Sequence, residues 1–228
     1  MIGPARTDTS VVGRWWWTVD WWTIAALAVL MAIGIVLVMA ASPPVATRIG
    51  LNPFYFAQRQ ALFLAPALVV IAGVSMLGPK GVRRLAIAGF SVAILLAIAT
   101  LVLGDPVNGA RRWIHVGSIL VQPSEILKPT FAVVSAVMLA AYQRTGDTQM
   151  RLASLGLLAV VLVLLAAQPD YGMAAVVAAV WFTQFFIAGM PLRWVAAMAA
   201  AGAGLLGVAY AFVPHVTSRI DRFLNPGS

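Results

Sequence analysis

Six long stretches without a charged side chain dominate this sequence. They are residues 21–47, 60–79, 85–104, 152–169, 171–192 and 194–218. A helix needs about 20 apolar residues to cross the roughly 30 Å hydrocarbon core of a membrane, and each stretch is near or above that length. Backbone groups in lipid must pair with one another, and these continuous runs lack the alternation of a barrel strand. The pattern therefore predicts membrane-spanning helices.

A seventh apolar segment, about 119–142, differs from the others because Glu125 and Lys128 lie inside it. With this segment included, we predict an all-α integral membrane protein with seven transmembrane helices. The predicted helix cores are 22–41, 61–77, 85–103, 119–142, 152–167, 171–189 and 194–213. The first core exceeds the roughly 7–15 apolar residues of a signal peptide, so we expect it to remain as an anchor.

Composition excludes several other classes of protein. Apolar residue types make up 62% of the 228 residues and charged types 10%, against roughly 45–50% and about 25% in soluble domains. Too few polar side chains are available to coat a soluble globule. The absence of cysteine excludes disulfide scaffolds, zinc ribbons and iron–sulfur clusters. His115 and His215 are far apart in sequence, and we expect no metal site built on them.

Basic residues near the helix ends predict the orientation of the chain in the membrane. With the N-terminus inside, the cytoplasmic set is Arg6, Arg14, Lys80, Arg83, Arg84, Arg144, Arg151 and Arg193. The outer set is Arg48, Arg59, Arg111, Arg112, Arg219 and Arg222. Eight residues against six favour a cytoplasmic N-terminus, and seven crossings then place the C-terminus outside.

This orientation divides the chain into three parts. Residues 1–20 are predicted to form a cytoplasmic N-terminal segment, 21–213 the seven-helix transmembrane domain, and 214–228 the start of a large extracytoplasmic loop. A belt of tryptophans surrounds the start of the first membrane helix. Its members are Trp15, Trp16, Trp17, Trp21 and Trp22. Tryptophan rings favour the headgroup depth of a membrane, so we interpret the belt as an interfacial anchor.

The polar segment 108–129 is the first candidate site. Asn108-Gly109 is a turn dipeptide, and the adjacent Arg111 and Arg112 carry donors that suit phosphate oxygens. Gln122 and Pro123 predict a helix start, with Glu125 in its first turn and Lys128 on the same face at i, i+3. The alternative is that Arg111, Arg112 and Lys128 only extend to lipid headgroups.

The second candidate site is the segment Gln168-Pro169-Asp170. The predicted helix before it, 152–167, is about 24 Å long at 1.5 Å per residue, which is short of a full crossing. Asp170 is therefore predicted below the outer membrane surface, where a carboxylate is costly unless it faces water or a cation. Lys128 lies in the outer half of its helix, so we predict a structural ion pair between Lys128 and Asp170.

These motifs, in this order and spacing, resemble the SEDS family of bacterial cell-wall polymerases, to which the FtsW and RodA proteins belong. The carrying motifs are Asn-Gly-Ala-Arg-Arg-Trp-Ile at 108–114, Gln-Pro-Ser-Glu-x-x-Lys at 122–128, Gln-Pro-Asp-Tyr-Gly at 168–172 and the terminal tract 219–226. The terminal tract is more similar to FtsW than to RodA. The resemblance implies the N-terminal seven helices of a fold of about ten, and a peptidoglycan glycosyltransferase that polymerises lipid II in cell division.

The resemblance also implies roles for particular residues. Substrate binding carries over to Arg111, Arg112, Gln122, Glu125 and Lys128. The family's essential Asp lies in a Thr-Asp-Phe-Ile-Phe-type motif of the large outer loop, and no such motif occurs in this sequence. We therefore predict no catalytic residue within the 228 residues and an inactive chain when it is alone.

Other expectations follow from the resemblance. They are a divalent cation (Mg²⁺ or Mn²⁺) as a possible cofactor, the bacterial inner membrane as location, and lipid II, membrane lipid, a class B penicillin-binding transpeptidase and other division proteins as partners, without nucleic acid. Two other functions stay open. One is a lipid II flippase, because intramembrane charges and interrupted helices suit a translocation path. The other is a non-catalytic division scaffold, which the small-residue face at 199–207 would allow.

Overall fold

The computed structural model describes residues 8–107, 110–117, 119–189, 191–212, 217 and 221. Its elements are α1 (Val11–Thr18), α2 (Trp21–Arg48), α3 (Tyr55–Ser75), α4 (Pro79–Leu103), β1 (Asp105–Val107), β2 (Ala110–Val116), β3 (Ile119–Val121), α5 (Pro123–Thr145), α6 (Thr148–Ala167), α7 (Tyr171–Ile187) and α8 (Leu192–Phe212). The chain forms two compact units, Met1–Val82 and Arg83–Ser228.

The predicted all-α membrane fold is confirmed in its helices, because each predicted helix core overlaps one of the helices α2 to α8, while a small three-stranded sheet that the sequence did not predict lies between α4 and α5. Within the described residues, the five helices α2 to α6 are long and apolar enough to cross a membrane, whereas α7 is a shorter apolar helix. The number of seven crossings and the orientation stay predictions.

One predicted boundary was wrong, and one helix was not predicted. The fourth core was predicted from residue 119, but residues 119–121 form strand β3 and the helix begins at Pro123, where the Gln122-Pro123 pattern indicated a start. Proline has no N–H to donate and fits the first helical turn, so the helix begins there. The sequence also gave no indication of α1, which is separated from α2 by Val19 and Asp20. Asp20 caps α2 by accepting from the backbone N–H of Trp22 and from the Thr23 hydroxyl.

The first unit is built around α2 and α3, which pack against each other. The connection between them is fixed at one end by Ser42, whose hydroxyl donates to the Pro53 carbonyl oxygen at 2.7 Å. At the other end of α3, the indole Nε1–H of Trp15 donates to the Ser75 hydroxyl at 2.8 Å. This bond holds α1 against the end of α3.

The core of the second unit lies between α5, α6 and α7. Fully buried side chains include Phe131 from α5, Leu165 from α6 and Trp181 from α7. Apolar side chains gain little by leaving lipid for protein, so packing and interhelical hydrogen bonds carry more of the association than in water. Trp181 Nε1 donates to the buried Ser154 hydroxyl at 2.8 Å, which ties α7 to α6.

A small antiparallel sheet, in the order β1–β2–β3, connects α4 to α5. Trp113 is opposite Asp105, and Ile114 is opposite Val121. Gly104 permits the sheet to approach the end of α4, because a Cβ at this position would lie 3.1 Å from the Trp113 carbonyl oxygen. The sheet holds β2 against α5, and this placement forms the candidate site.

The predicted orientation can be tested with topology reporters. A reporter fused after Lys80 or Gly146 should give a cytoplasmic signal, and one fused after Asn108 or Ser228 an extracytoplasmic signal. The reason is the basic turn at 80–84 together with an odd number of crossings. Paired phosphatase and fluorescent-protein fusions at each position provide the measurement. A cytoplasmic signal after Ser228 would show that one of the seven predicted helices does not cross.

Candidate functional site

Three segments of the second unit meet at a buried carboxylate. Asp170 lies directly before α7, and its side chain is 7% exposed. Arg112, on β2, places Nη1 at 3.4 Å from Asp170 Oδ1. Gln122, at the start of α5, donates from Nε2 to Asp170 Oδ2 at 3.4 Å and to the Ser124 hydroxyl at 3.0 Å. A partly buried cation and an amide thus neutralise and solvate the carboxylate.

Gln168, two positions before Asp170, anchors the turn that carries the carboxylate. Gln168 is 1% exposed and donates from Nε2 to the Ala97 carbonyl oxygen at 2.8 Å and to the Thr100 hydroxyl. The backbone N–H of Asp170 donates to the Leu165 carbonyl oxygen at 2.9 Å. The turn between α6 and α7 is therefore fixed to α4, and the position of the carboxylate is determined by buried hydrogen bonds.

The structure corrects the predicted ion pair between Lys128 and Asp170. Lys128 Nζ lies 2.8 Å from Glu125 Oε2 on the same helix, and Asp170 pairs with Arg112. The physical reason is local: residues three apart on a helix are neighbours, so Lys128 meets a carboxylate without crossing to another element. The predicted common face of Glu125 and Lys128 is confirmed.

The side chains of Arg111 and Arg112 do not form a single group of donors. Arg111 and Arg112 are consecutive residues of strand β2, and successive side chains of a strand point to opposite faces. Arg112 contacts Asp170, whereas the exposed Arg111 donates from Nη1 to the Leu101 carbonyl oxygen at 3.4 Å. The strand therefore separates an inner arginine, held by a carboxylate, from an outer arginine near the end of α4.

The cationic side chains of the site differ in how exposed they are. Arg112 Nε is buried and has no hydrogen-bond partner among the described residues, so this N–H of the inner arginine is available to a ligand. Arg111 is exposed, and the Lys128 side chain is 27% exposed beside Glu125. Such a set of donors can bind the oxygens of an anionic group that enters from the exposed side.

The described carboxylates do not fit a divalent cation. Asp170 and Glu125 are each paired with a positive side chain. Nowhere in the described ranges do three or more His, Cys, Asp or Glu side chains come together. His215, the turn dipeptide Asn108-Gly109 and the tract 219–220 with 222–226 lie outside the described residues. The cation stays a prediction.

Sequence reasoning missed the anchoring role of Gln168 and Thr100. Gln168 stands in the same Gln-Pro context as Gln122, and each amide lies directly before a proline at a helix boundary. A polar residue at the end of a long apolar run needs a buried partner, and the position of Gln168 in the sequence already indicated this need. The partner itself was not predictable, because Thr100 is 68 residues away.

A family model described as "Cell cycle protein", which covers FtsW, RodA and SpoVE, matches residues 20–228. The match includes every element of the candidate site. The chain belongs to the FtsW/RodA/SpoVE family. Its family and its apolar helices make it a multi-pass membrane protein, and the family includes proteins named as peptidoglycan glycosyltransferases.

Among the relatives, the probable peptidoglycan glycosyltransferase FtsW of Caulobacter vibrioides is 35% identical over 224 residues, which cover 97% of this chain and 57% of that protein. A protein of the same name from Escherichia coli O6:H1 is 30% identical over 231 residues, which cover 99% of this chain and 54% of that protein. The chain thus spans little more than half the length of these relatives. The predicted family and the closer similarity to FtsW are confirmed.

Solved structures show the same fold. The crystal structure of the rod shape determining protein RodA from Thermus thermophilus superposes with a TM-score of 0.67 at 30% identity, over 83% of this chain and 60% of that one. A chain from a structure of a peptidoglycan synthase complex that coordinates polymerization and crosslinking gives a TM-score of 0.70 at 28% identity, over 92% of this chain and 60% of that one.

Proposed function

We propose that this protein contributes the lipid-substrate side of a peptidoglycan glycosyltransferase that polymerises lipid II during cell division in the bacterial inner membrane. The observation that carries the proposal is a set of three cations on neighbouring segments: Arg112 on β2 pairs with the buried Asp170, while Arg111 on β2 and Lys128 on α5 are accessible. The names of the FtsW relatives and the membership of a similar chain in a synthase complex support it. On the basis of that synthase complex, we also propose that a crosslinking penicillin-binding transpeptidase and other division proteins are partners.

The proposed reaction makes two separate demands. A sugar hydroxyl attacks the anomeric carbon of a lipid-linked sugar, the bond to the diphosphate breaks, and the hydroxyl proton must pass to a base. Negative charge then develops on the departing diphosphate and needs nearby positive groups. The exposed Arg111 and the Lys128 ammonium are suited to the second demand, because both are accessible and cationic.

Arg112 and Asp170 serve this site as positioning residues. Asp170 is buried, forms an ion pair with Arg112 and accepts a hydrogen bond from Gln122. Both carboxylate oxygens of Asp170 are thus engaged by neighbouring side chains, Oδ1 by Arg112 and Oδ2 by Gln122. We propose that Asp170 orients Arg112, that Gln122 and Glu125 shape the entrance for substrate, and that the catalytic carboxylate is not among these 228 residues. No step of this scheme depends on a metal ion.

Binding of lipid II to the purified chain tests the proposal. Arg111→Gln and Lys128→Met should each weaken binding by about tenfold or more, since a hydrogen bond to a charged group contributes roughly 1.5–3 kcal/mol. Arg144→Gln is the matched control, because Arg144 lies in the last turn of α5, at the end opposite Glu125, and it should leave binding unchanged. Fluorescently labelled lipid II in nanodiscs provides the measurement.

The controls separate the alternatives. An equal loss in Arg144→Gln would mean that net charge alone attracts the lipid and would contradict the proposed site. Movement of lipid II across vesicle membranes, lost in Lys128→Met, would favour the flippase. Capture of division proteins without any binding of lipid II would favour the scaffold.

A further inference from the structure

The N-terminal helix α1 presents one face to a cavity. Val11, Arg14, Trp15 and Thr18 line it, and their spacing of three and four residues places them on the same side of the helix. The opposite wall is the turn at 75–79, between the end of α3 and the start of α4. The cavity measures about 370 Å³, which is within the size range of small-ligand sites.

The position of α1 over this turn is fixed by specific contacts. Ser10 caps the helix by accepting from the backbone N–H of Gly13 at 3.0 Å. Trp15 donates to the Ser75 hydroxyl at 2.8 Å, and both residues line the cavity. Trp16 packs edge-on against Trp21 at a ring-centroid distance of 4.6 Å, so α1 is also joined to the start of α2. The cavity is therefore built by defined contacts of the first unit.

Arg14 gives the cavity its charge. Within the described residues, its guanidinium makes no ion pair, because no carboxylate lies within 4.0 Å of it. The nearest candidate, Asp8, lines an adjoining cavity together with Arg14, but its carboxylate accepts from the backbone N–H of Ser10 at 2.8 Å. That hydrogen bond lowers the pKa of Asp8. Arg14 thus keeps its donors for a ligand, and a guanidinium is suited to phosphate oxygens.

The surroundings of the cavity place it at the surface of a membrane. Trp17, which lines the adjoining cavity with Arg14, is exposed, and so are Trp21 and Trp22, with which the long apolar helix α2 begins. Tryptophan rings favour the headgroup layer, and a short helix with basic and aromatic residues lies in the plane of that layer. The ligand that reaches a cavity at this depth is a lipid headgroup.

We propose that the cavity between α1 and the turn at 75–79 binds the phosphate of an anionic phospholipid, with Arg14 as its ligand and Trp15 as the residue that keeps the cavity in shape. The site shares no residue with the Arg112–Asp170 site, and the proposal does not depend on glycosyltransferase activity. Helix α1 has no role in the proposed glycosyltransferase reaction, and this proposal assigns it the recognition of lipid around the first membrane helix.

Native mass spectrometry of the full chain tests this site with two lipids of identical acyl chains, phosphatidylglycerol and phosphatidylcholine. The chain should bind phosphatidylglycerol more tightly, and Arg14→Gln should lower that affinity by about fivefold, the factor that corresponds to one basic residue at an anionic surface. Arg14→Lys should keep most of the affinity. Arg48→Gln is the matched control, because Arg48 is exposed at the opposite end of α2.

A second pair of variants tests the shape of the cavity. Trp15→Phe removes the bond to Ser75 and should also weaken phosphatidylglycerol binding, whereas Trp22→Phe, at the 86% exposed Trp22, should not. Equal losses in Arg14→Gln and Arg48→Gln, or equal affinity for the two lipids, would overturn the proposal. Displacement of the lipid by inorganic phosphate at an equal concentration would also overturn it, since the site would then bind free phosphate.

Discussion

The 228-residue chain, purified in nanodiscs with lipid II and supplied with a divalent cation and a partner transpeptidase, is expected to make no glycan polymer. The physical reason is that the two carboxylates described at the site are already engaged, Asp170 by Arg112 and Gln122 and Glu125 by Lys128, so neither is positioned as a general base for the attacking hydroxyl. A positioned general base contributes typically 10²–10⁴-fold to such a rate. Product chains separated by gel electrophoresis provide the measurement.

The positive control for this experiment is a full-length FtsW relative, such as the Caulobacter vibrioides protein, under identical conditions. Robust polymer from the 228-residue chain would contradict the assignment and return Asp170 to consideration as the base. Asp170→Asn would then decide the matter, because a catalytic role predicts loss of polymer with lipid binding intact. A positioning role predicts that binding and activity fall together.

The double variant Asp170→Asn/Arg112→Met should lose less stability than the sum of the losses in the two single variants. Each single change leaves one charge of a buried pair without its partner, which costs about 3–5 kcal/mol in soluble proteins. Polar contacts inside membrane proteins average about 0.6 kcal/mol with a maximum near 1.7. Arg112 is 27% exposed, so we expect a coupling of about 1–2 kcal/mol in the free energy of unfolding, measured by SDS titration in mixed micelles.

Lys128→Met provides the matched control for this cycle. Since Lys128 pairs with Glu125 and not with Asp170, its effect should add to that of Asp170→Asn within about 0.5 kcal/mol. A coupling between Lys128 and Asp170 as large as that between Arg112 and Asp170 would show that the ion pairs exchange partners in the membrane. Strict additivity of Arg112→Met and Asp170→Asn would show that the inner pair does not contribute to stability.

The sequence alone identified most residues of the candidate site, although it did not identify their partners. Charged and amide side chains within or beside apolar runs are costly in lipid, so Gln122, Lys128 and Asp170 stood out without any structure. The wrong step was the choice of partner for Asp170. Proximity along the membrane normal favoured Lys128, but the nearest cation came from a strand whose presence hydropathy did not indicate.

The small sheet explains why that partner was missed. Strands β1 to β3 are at most seven residues long, and antiparallel backbone pairing joins them. Pairing of this kind depends on which segments the preceding and following helices bring together. Once β2 exists, the alternation of its side chains assigns Arg112 to Asp170 and Arg111 to the end of α4.

The sequence by itself predicted the helices α2 to α8, because a backbone in lipid has no partners but its own and a long apolar run must then become helical. It also predicted the common face of Glu125 and Lys128, because neighbours at i, i+3 are set by helix geometry alone. Only the tertiary structure decided the partners of Asp170, Gln168 and Trp15. These contacts join residues 48 to 71 positions apart, and their formation depends on how whole helices pack, which no local pattern encodes.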